Sequence, residues 1–178
     1  MKEKLYRNLI ELSNGKLSSK VLQHVAQSRM SKNFIRSYSQ IYGINIQEVS
    51  KSPKDFTSLH DFFVRELKGE VRPVDIRSNI FASPVDAKLE AFGDIKDGMM
   101  FTVKNKPYSL VDLLGNEEQA NRYSNGKYIV FYLSPADYHR IHSPVDGVIT
   151  RQYILGKKSY PVNQMGLQYG KKPISHNY

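Results

Sequence analysis

The spacing of apolar residues changes near Arg72-Pro73, and this change limits the possible folds more than any other feature of the chain. Before that point, apolar side chains recur every three or four residues, as is typical of amphipathic helices. After it, short β-branched and aromatic runs alternate with glycine-containing turns, as is typical of antiparallel strands. We therefore predict an α+β fold, with a helical segment at residues 1–70 and a β-rich core at residues 71–178.

Four amphipathic helices are predicted in the first segment from their apolar stripes. They lie around residues 5–12, 18–26, 31–42 and 58–67. Ser18 or Ser19 is expected to begin the second helix, Ser31 to begin the third and Gly43 to end it, because serine suits N-terminal caps and glycine suits C-terminal caps. The segment is therefore expected to be a layer of short helices.

The second segment is predicted to contain short strands and one short helix. The predicted strands are residues 79–82, 87–92, 100–104, 127–133 and 147–155, and the helix is 110–114. Closely spaced strands with glycine turns predict a sandwich or a partly open barrel, not an alternating βαβ fold. A Gly-rich phosphate loop and a dinucleotide fingerprint are both absent from the sequence.

Basic residues are concentrated at the start of the chain. Residues 1–47 contain eight Lys or Arg and two Glu, so they carry +6 of the formal net charge of +9. This predicts a surface that meets phospholipid head groups or nucleic acid, with a solvated helical face as the alternative. No apolar run is long enough to span a bilayer, and no signal peptide is recognisable. We expect a cytoplasmic protein or a peripheral protein at the cytoplasmic face of the cell membrane.

The densest polar segment, residues 133–144, follows a predicted strand and contains His139 and His142 beside Asp137. Three interpretations are open. A metal site would need a third ligand, which the chain does not supply at a recognisable spacing, and the absence of Cys removes thiolate ligands. The histidines could instead bond to backbone carbonyls in a structural role. In a catalytic site, one histidine would be a general base oriented by a carboxylate.

A short internal repeat flanks this segment. Ser83-Pro84-Val85-Asp86-Ala87 is similar to Ser143-Pro144-Val145-Asp146-Gly147. Each predicts a proline turn that leads into a strand, and an Asp in such a turn often bonds to nearby backbone N–H groups.

Six motifs, which occur in the family's order, resemble those of the pyruvoyl-dependent phosphatidylserine decarboxylases. They are Phe62-Phe63-Val64-Arg65-Glu66-Leu67 with Arg72-Pro73, Ser83-Pro84-Val85-Asp86, Phe101-Thr102-Val103-Lys104 with Tyr108-Ser109, Tyr132-Leu133-Ser134-Pro135, Asp137-Tyr138-His139-Arg140-Ile141-His142-Ser143-Pro144, and Ser159-Tyr160-Pro161-Val162-Asn163. Each motif is weak alone, but together they cover nearly the whole chain.

The resemblance implies roles for three residues. Asp86 would orient His142, and His142 would be the general base for a serine that cuts its own backbone at a Gly-Ser bond. His139 would lie in the substrate site and assist decarboxylation. The cut leaves a pyruvoyl group, which serves as the electron sink for loss of CO2 without a diffusible cofactor or a metal. Ala87 departs from the family, which usually has Gly there, and we expect Ala to be tolerated if it begins a strand.

The sequence contains eleven Gly, and none is followed by Ser. We therefore expect an N-terminal, β-chain-forming portion of a precursor, with C-terminal strands missing and no activity alone. The implied partners are phosphatidylserine, an anionic membrane surface and a C-terminal α-chain that bears the pyruvoyl group. A homodimer is a further candidate, and no nucleic acid is expected.

Two other functions remain open from the residues. A non-catalytic, β-rich carrier-like or membrane-binding module is suggested by the run Ser143–Ile149, which resembles strand turns of lipoyl domains but lacks a suitable lysine. A nucleic-acid binder would use the Lys and Tyr residues, but the chain has no recognised motif for it.

Overall fold

The computed structural model describes residues 16–75, 77–95, 100–103 and 106–155. The chain forms two compact units. One, the helical unit, comprises Leu22–Lys88 and Phe131–Thr150, and the other, the strand unit, is centred on Leu89–Val130. The predicted α+β class is confirmed, and the described strands form two two-stranded sheets, not a closed barrel.

Three of the four predicted helices are confirmed, and the one around residues 5–12 lies outside the described residues. The helices are α1 (Lys16–Gln27), α2 (Ile35–Tyr42) and α3 (Leu59–Phe63), with 3₁₀ helices at Arg29–Phe34, Ile46–Glu48 and Pro53–Asp55. None of the helices in the part of the chain described here is long and apolar enough to cross a membrane.

The ends of α2 and α3 follow from local chemistry. Gly43 ends α2 in the left-handed conformation, with a φ of 65°, as its lack of a Cβ predicts. Ser58 begins α3 by accepting a hydrogen bond from the Asp61 amide. The helix stops at Phe63, before the predicted residue Leu67, because Leu67 instead forms an antiparallel bridge with Val49.

Ser31 does not cap a helix as predicted. It lies inside the 3₁₀ helix Arg29–Phe34, where its buried hydroxyl donates to the Ala26 carbonyl at 2.8 Å. The same oxygen accepts a hydrogen bond from the Leu59 amide at 2.8 Å. Ser31 thus links the beginning of α3 to the preceding helices.

The core of the helical unit combines side chains of α2 and α3 with apolar residues of the segments between these two helices. Phe62 is completely buried, and its ring meets Phe56 edge to face with the ring centroids 5.2 Å apart. Burial of one such side chain stabilises a fold by roughly 1.5–3 kcal/mol. The buried apolar residues of this core are Ile35, Ile44, Val49, Phe56 and Phe62.

The strand unit contains four strands and two short helices. They are β1 (Lys88–Asp94), β2 (Met100–Val103), β3 (Lys106–Ser109), α4 (Leu110–Leu114), α5 (Glu117–Asn121) and β4 (Lys127–Tyr132). β1 pairs with β4, and β2 pairs antiparallel with β3, with Phe101 opposite Tyr108. The core that these elements enclose consists of Ile95, Phe101, Val103, Tyr108, Leu110 and Ala120.

The strand predictions are correct where pairing partners exist. β1, β2 and β4 match the predicted runs, apart from Lys104, which lies outside the described residues, and α4 ends at Gly115 as predicted. Residues 79–82 and 147–155 were predicted as strands, but they have irregular backbone because no strand of the described chain pairs with them. β3 and α5 were not predicted.

Candidate active site

Two segments with the same Ser-Pro-Val-Asp sequence lie side by side in the helical unit. The His142 amide donates to the Pro84 carbonyl at 2.8 Å, and the Ala82 amide donates to the Pro144 carbonyl at 3.2 Å. The two bonds are equivalent, because each joins the residue before one repeat to the proline of the other repeat. They bring the backbone of His142 next to the turn that carries Asp86, although the two residues are far apart in sequence.

Each repeat is closed by its own serine. The Ser83 hydroxyl donates to the Val85 carbonyl at 2.8 Å, and the Ser143 hydroxyl donates to the Val145 carbonyl at 2.5 Å. Both hydroxyls are thus used in turn formation, as is typical of serine before proline in a loop. The predicted turns are therefore present in both copies.

The first turn leads into β1, and Ala87 is the residue between them. Among the described non-glycine residues, only Asn125 has a positive φ. Ala87 thus has a backbone conformation that any residue adopts, so its Cβ imposes no strain on the adjacent Asp86.

Asp86 and His142 line one cavity of about 610 Å³. Arg72, Tyr138 and Ser143 also line it. This volume lies within the range of roughly 300–1,000 Å³ that is usual for small-molecule sites. The structure therefore brings two of the three predicted site residues to a space that a ligand or a peptide segment can enter.

The carboxylate of Asp86 is held by Arg72 and does not contact the His142 imidazole. Arg72 Nε donates to Asp86 Oδ2 at 2.6 Å, and its Nη2 lies 3.0 Å from Glu48 Oε2. The hydrogen bond to Asp86, followed by that to Glu48, raises the pKa of Arg72. Sequence reasoning gave Arg72 no role, because its partners lie 14 and 24 residues away; its only signal was its place in a family motif.

His142 presents its imidazole to this cavity. The side chain is exposed, and its ring stacks on Tyr138 with the centroids 5.5 Å apart and the planes at 28°. Within the described residues, the imidazole nitrogens have no hydrogen-bond partner, whereas the backbone amide is fixed by Pro84. His142 therefore combines a fixed backbone with a ring that makes no hydrogen bond to the described residues.

His139 lies outside the lining of this cavity. Its Nε2 donates to the Ser134 carbonyl at 2.8 Å, and its ring lies on Phe63 with the centroids 3.9 Å apart. Burial lowers the pKa of His139, and the positive charge of Arg65 lowers it further, whereas the Ser134 hydrogen bond and Asp137 act in the opposite direction. The neutral ring is thus favoured, with its proton on Nε2 and a lone pair on Nδ1.

Two arginines hold the loop that displays His139. Arg65 is buried, and its Nη2 donates to the carbonyls of Ala136 and Asp137 at 2.8 and 2.9 Å. In the opposite direction, Arg140 Nε donates to the Val64 carbonyl at 2.9 Å. The segment around Arg65 and the loop 134–140 are therefore tied together by reciprocal hydrogen bonds. Sequence reasoning assigned neither arginine a structural role.

The described residues hold no group of three or more His, Cys, Asp or Glu side chains that could bind a metal ion. The chemistry that the geometry itself offers is proton transfer at the two histidines, with Asp86 as the nearby negative charge.

Comparison with known proteins shows the family of the chain. The sequence profile described as "Phosphatidylserine decarboxylase" matches residues 59–178, which include all the site residues named above except Glu48. The phosphatidylserine decarboxylase proenzymes of Bacillus thuringiensis (strain Al Hakam) and Bacillus cereus (strain 03BB102) are each 48% identical over 178 residues. The alignments cover all of this chain and 68% of each relative. From the extent of these matches, the chain belongs to the phosphatidylserine decarboxylase family of carboxy-lyases.

Proposed function

We propose that this chain takes part in the conversion of phosphatidylserine to phosphatidylethanolamine and CO2, as the part of a proenzyme that forms the β-chain. Its partner would be a C-terminal α-chain that bears the pyruvoyl group. The observation that carries the proposal is the pair of turns that brings Asp86 and His142 to one cavity. Both turns lie within the residues that match the family profile.

His142 is the base in the proposed self-cleavage. Its imidazole is free to accept the proton of a serine hydroxyl that enters the cavity. Arg72 occupies Asp86 Oδ2, and Oδ1 has no hydrogen-bond partner among the described residues. That oxygen is available to accept an N–H from the imidazolium that forms at His142, which stabilises the positive charge.

The prosthetic group needs a serine after a glycine, and this sequence has no Gly-Ser pair. The residues present fit the surroundings of the group, because the cavity has a suitable volume and contains a base beside a carboxylate. When present, the pyruvoyl group supplies the electron sink for loss of CO2. His139 does not line this cavity, and its role rests on its place in the family motif: its unprotonated Nδ1 would accept a proton at the substrate and return it during decarboxylation.

The membrane location rests on the helical segments near the start of the described chain. Basic side chains occur there together with exposed large apolar ones. The exposed apolar residues are Val21, Leu22, Val25, Met30, Phe34 and Ile41. Each Lys or Arg near an anionic leaflet contributes about 1 kcal/mol of binding free energy. We infer a peripheral location at the cytoplasmic face of the cell membrane, where a phospholipid substrate is within reach.

The test is a chimera that joins this chain to the remaining C-terminal part of the Bacillus cereus relative. We expect mass spectrometry to find an internal cut and a pyruvoyl-blocked fragment, and radiolabelled phosphatidylserine to release CO2. His142→Ala and Asp86→Asn should block the cut. His139→Ala should leave the cut intact and remove CO2 release.

The matched control is His24→Ala, which changes an exposed histidine of α1. The His24→Ala chimera should cut its own backbone and release CO2 as the unmodified chimera does. Normal self-cleavage of His142→Ala would remove this residue from the proposed relay. Light scattering of the same chimera decides whether the assembled protein is a homodimer.

A further inference from the structure

A second groove in the helical unit is lined by three cationic side chains and by no carboxylate. Its volume is about 610 Å³, and its cations are Lys32, Arg36 and Lys54. It shares no lining residue with the cavity of Asp86 and His142. The proposed decarboxylation does not use these cations.

The cations of this groove are unpaired. Lys32, Arg36 and Lys54 form no ion pair and no side-chain hydrogen bond with the described residues. By contrast, Arg72 and Arg140 are neutralised by carboxylates at 2.6 and 2.8 Å. Unpaired like charges around one groove repel each other and attract an anion, which lowers that repulsion.

An adjacent smaller cavity extends the positive surface. It has a volume of about 330 Å³, shares Lys32 and Lys54 with the groove, and adds Arg29 with one carboxylate, Asp55. Across the two cavities, four cations face a single carboxylate. The positive surface is therefore continuous over both.

The neutral lining suits a phosphate ester. Asn33, Gln40 and Ser52 provide amide and hydroxyl groups that donate hydrogen bonds to phosphate oxygens. The half-buried side chain of Ile46 also lines the groove, so an apolar surface is available to the carbon atoms of the ester. The lining thus offers donors and apolar contact in one place.

Exposed apolar side chains accompany the cations on the same elements. Met30 and Phe34 are 78% and 62% exposed on the 3₁₀ helix that carries Lys32. Ile41 is 76% exposed on α2, which carries Arg36. Basic and large apolar side chains together are typical of elements that lie in a membrane interface.

We propose that the groove of Lys32, Arg36 and Lys54 binds the phosphate of an anionic phospholipid head group in the membrane, as a docking site separate from the catalytic cavity. The inference rests on the membrane location proposed above and adds a defined site to it. Such a site would hold the chain on the leaflet while the catalytic cavity remains free for substrate.

The test compares vesicle binding of the 178-residue chain and two triple variants. The groove variant carries Lys32→Gln, Arg36→Gln and Lys54→Gln. The control variant carries Arg77→Gln, Arg122→Gln and Arg151→Gln, which remove the same charge at exposed positions elsewhere. On phosphatidylcholine vesicles that contain phosphatidylglycerol, the groove variant should bind on the order of 100-fold more weakly than the unmodified chain. The control variant should lose only a few-fold, and vesicles of pure phosphatidylcholine should bind all three weakly.

A second measurement identifies the ligand by NMR titration with short-chain phosphatidylglycerol, short-chain phosphatidylcholine and inorganic phosphate. Phosphatidylglycerol should shift the amide signals of residues 32–54 at the lowest concentration. Equal shifts with inorganic phosphate would overturn the lipid assignment, because the groove would then be a general anion site. If both triple variants lose vesicle binding equally, diffuse charge is responsible and the proposal is wrong.

A decarboxylation assay distinguishes failure of the docking site from failure of the proposed function. In the chimera, the groove variant should still cut itself and release CO2 from phosphatidylserine dispersed in detergent, because its three residues lie outside the catalytic cavity. Retained vesicle binding by the groove variant would refute the docking site and leave the proposed function untouched.

Discussion

Arg65 is a buried cation that uses main-chain carbonyls as its partners. Arg65 is 3% exposed, and its Nη2 donates hydrogen bonds to the carbonyls of Ala136 and Asp137. Nε and Nη1 have no hydrogen-bond partner among the described residues, and burial lowers the pKa of the guanidinium. A buried charge with unpaired donors costs stability. We interpret Arg65 as a positioning residue that fixes the loop carrying His139.

Replacing Arg65 by Met should destabilise the chain by about 2 kcal/mol, because two carbonyls lose a charged hydrogen-bond donor. Urea unfolding followed by circular dichroism measures the change. Arg77→Met is the control, since Arg77 is exposed and pairs with the neighbouring Asp75; it should change stability by less than about 0.5 kcal/mol. Equal effects of the two substitutions would contradict the interpretation.

His139 should make stability depend on pH. Because burial lowers its pKa in the folded chain, the unfolded chain binds a proton below pH about 6.5 that the folded chain does not. The free energy of unfolding should therefore fall as the pH decreases from about 6.5. His139→Gln keeps a donor for the Ser134 carbonyl and should have a shallower slope. His24→Gln, at an exposed position, should keep the original slope.

The candidate site was only partly predictable from sequence. The family motifs indicated Asp86, His142 and His139, since each has a distinctive local context. The contact of Arg72 with Asp86 depends on how the chain folds back between them, and no local pattern encodes that. The separation of His139 from the cavity of His142 likewise depends on the loop held by Arg65, and a spacing of three residues does not reveal it.

At the level of secondary-structure elements, two glycines end helices in the same conformation but in different surroundings. Gly43 follows α2 with a φ of 65°, and Gly115 follows α4 with a φ of 66°. A Cβ at Gly43 would meet nothing within 4 Å, whereas one at Gly115 would lie 2.5 Å from Leu155 Cδ2. Gly43 is therefore needed only for its left-handed backbone conformation. Gly115 is needed for the same conformation and also because Leu155 packs closely against it.

We expect Gly43→Ala to cost about 1 kcal/mol, since only the left-handed backbone is strained. Gly115→Ala should cost roughly 1 kcal/mol more, because the side chain of Leu155 must also move. Urea unfolding of the two variants gives the difference directly. A cost for Gly115→Ala no larger than that for Gly43→Ala would mean that Leu155 adjusts without loss.

The helix ends at Gly43 and Gly115 were predictable because each depends on a single glycine, whereas the start predicted at Ser31 and the end predicted at Leu67 were wrong because long-range contacts decide them. Strands were less predictable because they depend on a partner. The apolar runs at 79–82 and 147–155 resemble strands, yet they pair with no strand among the described residues. β3 was missed because Pro107 is unfavourable within strands, although pairing with β2 tolerates it at an edge.

For the whole chain, several large apolar side chains near the end of the described part are exposed. Val148, Ile149 and Ile154 are 88%, 86% and 84% exposed. Large apolar side chains with such exposure are typical of sites that another chain or segment covers. This is consistent with the C-terminal α-chain proposed as the partner.

The 178-residue chain on its own should neither cut itself nor release CO2, because the sequence has no Gly-Ser pair from which a pyruvoyl group forms. Mass spectrometry of the purified chain should give a single intact mass. The chimera with the Bacillus cereus segment is the positive control under the same conditions. A pyruvoyl-blocked fragment from the chain alone would show that a serine without a preceding glycine can form the pyruvoyl group.

The paired turns at Pro84 and His142 affect how much conformational entropy a reaction at this site would lose. Their hydrogen bonds close a long loop of chain, and the conformational entropy of that closure is lost when the protein folds. The backbone under His142 and the turn of Asp86 are therefore already ordered before any substrate arrives. A reaction at such a preorganised site need not lose that entropy again at each turnover, which lowers its activation free energy.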